Sequence, residues 1–218
     1  MAFRWNPFEG ETNGLLRRLG LSRRDVSDAG LMALEALAAE RDALAEKLAQ
    51  AETLADRDAL APVYNRRAFL RELHRTMSEV ERYKTPAAVL YCDLDGFKAL
   101  NDGYGHAAGD AVLRHVGRLL LESVRESDVV GRLGGDEFGV ILNRASAEEA
   151  RAKAWSLSEL VNNSAILYAG VPHRIKASFG VHPIGAAEDP ETAIARADEA
   201  MYVDKHARRA EAQAFSGF

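Results

Sequence analysis

The segment RLGGDEFGV, from Arg132 to Val140, constrains the fold more than any other part of the chain. Apolar residues typical of strands lie on both sides of Gly134 and Gly135, over 129–133 and 138–142, which predicts two antiparallel strands joined by a tight turn. Further strands are predicted at 87–93 and 174–181, and helices at 64–83, 109–124, 147–161 and about 191–209. The hairpin therefore predicts an α+β fold, with a mostly antiparallel central sheet flanked by helices, and not a doubly wound parallel sheet.

Size and charge narrow the class of protein. A chain of 218 residues with 47% hydrophobic and 28% charged residues is long enough for one globular catalytic unit and an appendage. A net charge of -5 argues against sequence-independent binding to nucleic acid, which needs a basic face. The single cysteine, Cys92, lies in an apolar run and is typical of a buried thiol in a reducing compartment. No run approaches the roughly 20 apolar residues of a transmembrane helix, and no secretion signal opens the chain, so we expect a cytoplasmic protein.

The amino-terminal part of the chain predicts a dimerisation helix. Residues 26–57 are rich in Ala, Leu, Glu and Arg and contain no proline, which favours one long helix of about 45 Å. Its apolar residues fall on a heptad repeat, with Leu37, Leu44 and Ala51 seven apart and Leu34, Leu48 and Ala55 at the companion positions. We therefore predict a coiled coil between two copies; the alternative is one amphipathic helix that folds back on its own domain. Residues 1–25 carry Phe3, Trp5 and Phe8, which could pack on the protein itself or dock on a partner.

Acidic residues follow two of the predicted strands. Asp136 and Glu137 stand at the hairpin turn, after glycines that can adopt positive φ and let a bound group approach the backbone. Asp93 and Asp95 end the buried strand at 87–93. Bringing such carboxylates together costs about 4 kcal/mol per close pair at an effective dielectric of about 20, and a divalent cation removes that cost. Oxygen ligands without a His or Cys cluster favour Mg²⁺, which often completes its shell with phosphates. The alternative is that these acids cap helices or face solvent.

Three longer segments are similar to one known family. YCDLDGFKALNDGYGHAAGDAVL, RESDVVGRLGGDEFGVIL and ADEAMYVDK together resemble the GGDEF domain of diguanylate cyclases, in order and at the family's spacing. The resemblance covers about residues 58–209 and implies a catalytic domain over 58–218. It implies a fold like that of polymerase palms and class III nucleotide cyclases, with a ferredoxin-like core. The implied reaction is the Mg²⁺-dependent condensation of two GTP molecules into cyclic di-GMP and two pyrophosphates, with Mn²⁺ as a substitute metal.

The resemblance also implies a role for individual residues. The metal would be held by Asp93, Asp136 and Glu137 with the carbonyl of Leu94, and the catalytic residues would be these three acids and Lys98. The guanine edge would be read by Asn101 and Asp110. The rest of the substrate would be contacted by Gly134, Gly135, Lys205 and Arg209. An amide and a carboxylate suit guanine, because the base presents both donors and an acceptor. Without the resemblance, Asn101 would be read as a turn residue and Asp110 as a helix-start acid.

The same resemblance implies a homodimer and feedback control. Each domain of this family holds one GTP, so two domains must face each other, and the predicted coil would raise the effective concentration of the second active site. Arg125 and Asp128, in RESD, stand at the spacing of the family's inhibitory product site; taken alone they would form a surface ion pair.

One departure from the family pattern lies at the domain entrance. Family members carry DxLTGLxNRRxF, whereas this chain reads DALAPVYNRRAF, with Ala61, Pro62 and Val63 in place of Thr, Gly and Leu. That leaves the coupling between coil and domain open. Three other functions remain as alternatives: a catalytically silent module that binds cyclic di-GMP, a coiled-coil interaction protein with a passive domain, and a nucleotidyl cyclase that uses ATP.

Overall fold

The computed structural model describes residues 16–17, 20–185 and 188–215, with side chains for all of these except 48–54 and 206–215. The chain divides into two compact units, Met1–Ala55 and Asp56–Phe218. Phe3, Trp5 and Phe8, for which we predicted packing or docking, lie outside the described residues. Within the described ranges, none of the helices combines the length and the apolar character that a membrane crossing requires.

A single long helix dominates the first unit. A short 3-10 helix, Arg23–Asp25, precedes α1, which runs over Asp28–Asp56 and confirms the predicted helix. Leu37 and Leu44, seven residues apart, are 61% and 58% exposed. The side chains of Leu48 and Ala51, which we placed in the same heptad seam, lie outside the described set. Pairing of this helix with a second copy stays a prediction.

The second unit is built on a four-stranded antiparallel sheet. Its strands are β1 (Ala87–Asp95), β2 (Val129–Arg132), β3 (Glu137–Asn143) and β6 (Lys176–Pro183), in the order β2-β3-β1-β6. Every neighbouring pair in this sheet is antiparallel. The predicted α+β fold with a mostly antiparallel sheet is confirmed, and β1 lies inside the sheet because its apolar run can be covered on both faces.

Helices cover the two faces of this sheet. One face carries α2 (Arg66–Tyr83) and α6 (Pro190–Phe215); the other carries α4 (His106–Glu122) and α5 (Ala147–Asn163), with the short α3 (Phe97–Tyr104) beside them. Strand β1 alternates between the two cores, since Leu90, Cys92 and Leu94 pack with α4 and α5, whereas Val89 and Tyr91 pack with α2 and α6. By the same alternation, Asp93 follows Tyr91 on the α2 and α6 face.

Two glycines allow helix α2 to approach the hairpin closely. A Cβ on Gly139 would lie 2.5 Å from Cζ of Phe69, and a Cβ on Gly131 would lie 2.7 Å from Cδ2 of the same ring. Gly131 and Gly139 are cross-strand partners, so together they form a flat patch on β2 and β3. The fully buried ring of Phe69 fills that patch and fixes α2 against the strands that carry the acidic turn.

The structure contains elements that the sequence did not predict. Helix α3 was missed, and α4 begins at His106, three residues before the predicted start at Gly109. Gly105, which adopts φ +83°, separates the two helices. A two-stranded ribbon, β4 (Ile166–Tyr168) and β5 (Val171–His173), was also missed. Its strands have three residues each, too few to produce a periodic pattern.

Candidate active site

The acidic turn lies at the end of the central strand. Asp93 is the cross-strand partner of Glu137, and the backbone N–H of Leu94 donates to the carbonyl of Asp136 at 3.3 Å. These contacts bring the backbones of the three predicted metal-site acids next to that of Leu94. The antiparallel pairing of β1 and β3 therefore places acids that are more than 40 positions apart at one edge of the sheet.

The pKa of Asp136 is raised in this cluster of carboxylates. Burial raises the pKa of this carboxyl, and the negative charge of Asp93 raises it further, with a smaller contribution from Glu137. Asp198, on α6, behaves in the same way: burial and the charges of Glu137 and Asp93 raise its pKa. The site therefore carries more negative charge than its own residues neutralise.

Lys205 is the cation that the protein itself supplies to this cluster. Its Nζ lies 2.5 Å from Oδ1 of Asp93 and 2.5 Å from Oδ1 of Asp95. Burial alone would lower the pKa of Lys205, but the hydrogen bonds and charges of the two aspartates outweigh it and raise the pKa. Oδ2 of Asp95 also accepts a hydrogen bond from the buried Ser178 at 2.8 Å. Lys205, predicted as a phosphate contact, thus lies directly at the acidic end of β1.

Three residues of this site were not predicted, whereas Asp95 was expected in the acidic cluster beside Asp93. The three are Tyr91, Ser178 and Asp198. Burial raises the pKa of the Tyr91 phenol, and a hydrogen bond to Glu137 raises it further, so the phenol stays protonated and supports the Glu137 carboxylate. Spacing could have revealed two of them: Tyr91 is two residues before Asp93 on a strand, and Asp198 is seven residues before Lys205 on a helix. Ser178 gave no such signal.

The glycines of the turn matter because they have no side chain, and not because they adopt positive φ. Neither Gly134 nor Gly135 has positive φ, contrary to the conformation that we considered for them. A Cβ on Gly134 would lie 2.1 Å from Oε2 of Glu137, so a larger residue would displace that carboxylate. Around Gly135, by contrast, a Cβ would meet nothing within 4 Å, which leaves its backbone accessible.

An arginine ties the turn to the domain entrance. Nε and Nη2 of Arg132 donate to the carbonyl of Gly135 at 3.1 and 2.7 Å, and Nη1 lies 3.1 Å from Oδ1 of Asp58. The Asp58 carboxylate also accepts from the backbone N–H of Leu60 and Ala61, at 3.0 and 2.8 Å. Asp58 therefore organises the entrance loop and the acidic turn with one carboxylate.

The departure from the family pattern at this entrance is accommodated in the core. Ala61 is 2% exposed and Val63 is 0% exposed. Both side chains belong to the core cluster beneath α4, where Ala61 lies close to Gly117. The apolar replacements thus fill space, and the polar contacts of Asp58 do not depend on them.

The donor set fits a divalent metal with oxygen ligands. Among the described residues, no three His, Cys, Asp or Glu side chains are grouped so that they alone could hold a metal ion. Asp93 and Asp136 are close enough for the charge of one to raise the pKa of the other, and the Leu94 backbone is adjacent to both. An ion that binds here would need ligands beyond the carboxylates, which suits Mg²⁺, because Mg²⁺ is usually held by one or two carboxylates together with phosphate oxygens.

The two residues predicted to read guanine lie on adjoining helices. Asn101 is on α3 and Asp110 is on α4, and both are partly buried. Oδ1 of Asn101 is buried and has no hydrogen-bond partner among the described residues. A Cβ on Gly109 would lie 1.9 Å from that same oxygen, so the glycine makes the room in which the amide sits. A buried acceptor without a donor is costly, and a ligand N–H would satisfy it.

The remaining predicted residues lie around this centre or apart from it. Lys98 is exposed on α3, and the side chain of Arg209 lies outside the described set. Arg125 and Asp128 line a cavity of about 640 Å³ that also contacts Arg57, Arg75 and Arg144. Asp128 accepts from the backbone N–H of Arg125 and of Asn143, each at 3.1 Å. It therefore also holds the loop before β2, a structural role that the sequence did not predict.

Comparison with known proteins identifies relatives of this chain. Residues 55–211 match the family described as "Diguanylate cyclase, GGDEF domain". Probable diguanylate cyclase DgcE of Escherichia coli K12 is 39% identical over 163 residues, which are 74% of this chain and 15% of that protein. Diguanylate cyclase DosC of the same organism is 36% identical over 153 residues, which are 70% of this chain and 33% of that protein. The chain thus spans 15–33% of the length of these relatives.

A solved structure shares the architecture. The coiled coil and GGDEF domain of DgcB from Caulobacter crescentus, crystallised in complex with c-di-GMP, has a TM-score of 0.72 and 28% sequence identity. The match covers 81% of this chain and 94% of that chain.

The Asp58 contacts predict a pH-dependent loss of stability. Burial alone would raise the pKa of Asp58, but hydrogen bonds from Ala61, Leu60 and Arg132 outweigh it, so the pKa lies below its ordinary range. We expect Asp58→Ala to lower the free energy of unfolding by about 1–3 kcal/mol at neutral pH, because three donors lose their acceptor. A group with a lowered folded pKa contributes stability above its unfolded pKa and loses it as the pH falls through the folded value. The difference from wild type should therefore shrink below about pH 4.

Urea unfolding between pH 3 and pH 7 measures this effect. Glu79→Ala is the matched control, because Glu79 forms an exposed ion pair with Arg75 at 3.4 Å and its loss should cost at most about 0.5 kcal/mol. A difference for Asp58→Ala that stays constant over this pH range would contradict the assignment.

Proposed function

Because the chain belongs to the GGDEF domain family of diguanylate cyclases, we propose that it condenses two GTP molecules into cyclic di-GMP and releases two pyrophosphates. One observation carries the proposal: the Asp136 turn lies against Asp93 at the end of β1, where burial and then the charge of Asp93 raise the pKa of Asp136. Such an excess of negative charge suits a site that takes up a metal with a triphosphate. The reaction would take place in the cytoplasm, where GTP is available.

Mg²⁺, or Mn²⁺ in its place, would be held by Asp93, Asp136 and Glu137 together with the Leu94 carbonyl. The metal would supply charge neutralisation at the α-phosphate and a lower pKa for the attacking 3′ hydroxyl. The Tyr91 phenol donates a hydrogen bond to Glu137, since burial and that hydrogen bond raise the pKa of the phenol and keep it protonated. The open backbone at Gly135 leaves room for a phosphate next to the carboxylates.

Cationic side chains would bind the triphosphate. Lys205 already lies at the acidic cluster, and its ammonium is close enough to serve both aspartates and a phosphate oxygen. Lys98 projects from α3, the helix that directly follows β1, and Arg209 follows Lys205 by four positions on α6. Three positive charges around the triphosphate would stabilise the charge that develops during phosphoryl transfer.

Asn101 and Asp110 would select guanine. The buried Oδ1 of Asn101 needs a hydrogen-bond donor, and guanine offers N1–H and an amino group along one edge. Asp110 would accept the second of these donors. Adenine presents an acceptor at N1, so the same pair would disfavour ATP. A cyclase that uses ATP is thus the less favoured alternative.

The reaction requires two copies of the domain, and we propose a homodimer through α1. Leu37 and Leu44 are exposed and one heptad apart, and two such helices would bury these leucines against each other. The DgcB structure, which contains a coiled coil and a GGDEF domain, supports the same arrangement. The domain boundaries that we propose are 26–57 for the coil and 58–218 for the cyclase, preceded by the segment 1–25.

The cavity beside RESD is the proposed inhibitory site for cyclic di-GMP. Arg125 lines it together with three other arginines and four acidic residues, around a volume of about 640 Å³: Arg57, Arg75, Arg144, Glu72, Glu79, Glu126 and Asp128. Phosphates and guanine edges both suit planar guanidinium groups. Asp128 would act there mainly by holding the loop, since backbone N–H groups already occupy both of its oxygens. A silent module that binds cyclic di-GMP would use the same cavity, but it would not need the acidic turn.

Asp136→Ala tests the proposed metal site. With GTP and Mg²⁺, we expect cyclic di-GMP formation to fall at least about 100-fold, because a group that stabilises the transition state is lost. The melting temperature should not fall, since burial and the charge of Asp93 raise the pKa of Asp136, so its ionised carboxylate does not stabilise the fold. Mass spectrometry of the products measures the effect, with Glu148→Ala on the exposed face of α5 as control. Turnover at the wild-type rate would refute the metal assignment, and absence of turnover in the wild type would favour the silent module.

Arg125→Ala tests the inhibitory site. Loss of this guanidinium from the cavity should raise the concentration of cyclic di-GMP that gives half inhibition by about tenfold or more, because charge-assisted hydrogen bonds to the ligand disappear. Initial rates at increasing product concentration provide the measurement. Arg118→Ala, on α4, is the control, since Arg118 does not line this cavity. An unchanged inhibition curve for Arg125→Ala would place the inhibitory site elsewhere.

Deletion of residues 1–57 tests the coil. Without α1, activity per domain should fall most at low protein concentration, because the second active site is no longer held nearby. Rates measured from about 0.1 to 10 μM protein, together with sedimentation of both proteins, would show the effect. The control is Leu37→Asp with Leu44→Asp in the full chain, which removes the exposed leucines and keeps the helix. An undiminished rate at every concentration would remove the coil from the mechanism.

A further inference from the structure

A ring contact joins the small β ribbon to the helices that carry Asn101 and Asp110. Tyr104 is the last residue of α3, and its ring centroid lies 4.5 Å from that of His173, with the rings at 78° to each other. His173 ends β5 and is only 5% exposed. The ring of Tyr168, on β4, lies 6.3 Å from the same imidazole. The three rings thus form one cluster, in which His173 of the ribbon lies between Tyr168 and Tyr104.

Apart from this ring contact, the exposed tip of the bend between α3 and α4 is held by backbone hydrogen bonds, among them one from the N–H of Ala108 to the carbonyl of Gly105 at 3.1 Å. Only Gly105, with φ +83°, separates the two helices, and residues 102–107 are all exposed. The N–H of Gly105 donates to the carbonyl of Asn101 at 2.8 Å, so the end of α3 is closed on Asn101 itself. Any change of angle at this bend therefore moves Asn101 relative to Asp110.

The ribbon is a firm support for this bend because its base is buried. Ile166, the cross-strand partner of His173, is 6% exposed, and Ile175, two residues after His173, is 4% exposed. Both belong to the core cluster that contains Leu100 of α3 and Ala108 of α4. His173 is thus fixed by the core, whereas Tyr104 is 61% exposed and depends on the ring contact for its position.

We propose that His173 and Tyr104 are positioning residues for guanine recognition. Through their edge-to-face contact, the ribbon holds the α3–α4 bend at the angle at which the buried Oδ1 of Asn101 and the carboxylate of Asp110 meet one base together. The inference rests on the proposed function, since it takes guanine as the base that this pair reads. Neither ring needs to touch the nucleotide, so the effect falls on nucleotide affinity and base selection and not on the chemical step.

Tyr104→Ala is the primary test, because Tyr104 is exposed and the variant should fold. We expect the KM for GTP to rise about 3- to 10-fold, in line with the loss of one aromatic pair, with kcat within about twofold of wild type. Tyr104→Phe keeps the ring and should restore the wild-type KM. The preference for GTP over ITP, which lacks the 2-amino group, should fall in Tyr104→Ala and not in Tyr104→Phe. Leu167→Ser is the matched control, since Leu167 is 73% exposed on the ribbon and makes no ring contact with α3.

His173→Ala should give the same rise in KM, and the double variant Tyr104→Ala with His173→Ala should be no worse than the more affected single variant. His173→Phe is included because loss of a buried ring could unfold the ribbon; it keeps a ring edge and should preserve the KM. Thermal melting of each variant separates loss of fold from loss of positioning.

Binding of 3′-deoxy-GTP, which lacks the attacking hydroxyl, keeps the two proposals apart. If the wild type binds 3′-deoxy-GTP and Tyr104→Ala binds it with equal affinity and equal preference over 3′-deoxy-ITP, the positioning role is overturned and the proposed function stands. If the wild type does not bind 3′-deoxy-GTP at all, the proposed function fails and this inference fails with it. A 3- to 10-fold weaker affinity in Tyr104→Ala, with reduced base preference, supports both.

Discussion

The register between β1 and β3 is the constraint on which the rest of this domain depends. Asp93 faces Glu137 across the two strands, and the contact of Leu94 with Asp136 extends the pairing into the turn. A slip of one residue would reverse the faces of a whole strand and expose its core side chains, so the apolar alternation that builds the core also sets the position of the acids. Phe138, 0% exposed on β3, is next to Glu137 and belongs to the opposite face. The packing of the core thus fixes the positions of the acidic residues at the edge of the sheet.

The charge of this edge is only partly balanced from within the protein. Lys205 reaches two aspartates of β1 from the far carboxyl-terminal helix. The pKa values of Asp136 and Asp198 nevertheless remain raised, by burial first and by neighbouring carboxylates second. A site with this balance binds cations and anionic phosphates together more readily than either alone, because each offsets the charge of the other. That property supports a metal-dependent reaction on a nucleoside triphosphate.

Two supports connect this edge and helices α3 and α4 to other parts of the domain. Arg132 connects the carbonyl of Gly135 to Asp58 at the domain entrance, so the acidic turn and the entrance loop share one carboxylate. The ring of His173 connects the bend at Gly105 to the buried base of the ribbon. Both supports join segments that are distant in sequence. Neither Arg132 nor His173 is among the residues proposed to take part in the reaction. Rigidity at the site thus comes from outside the residues that carry the chemistry.

The sequence by itself determined the α+β class, the hairpin with its acidic turn, most helices of the domain and the family, because apolar periodicity and turn residues act locally. The membership of Asp93, Asp136, Glu137 and Lys205 in one site could be predicted from the resemblance. Only the tertiary structure decided that Lys205 binds Asp93 and Asp95, that Asp128 holds a loop, and that Tyr91, Ser178 and Asp198 belong to the site. It also decided the additional helix α3 before Gly105 and the ribbon that ends in His173. These features arise from contacts between distant segments, and such contacts leave no periodic trace along the chain.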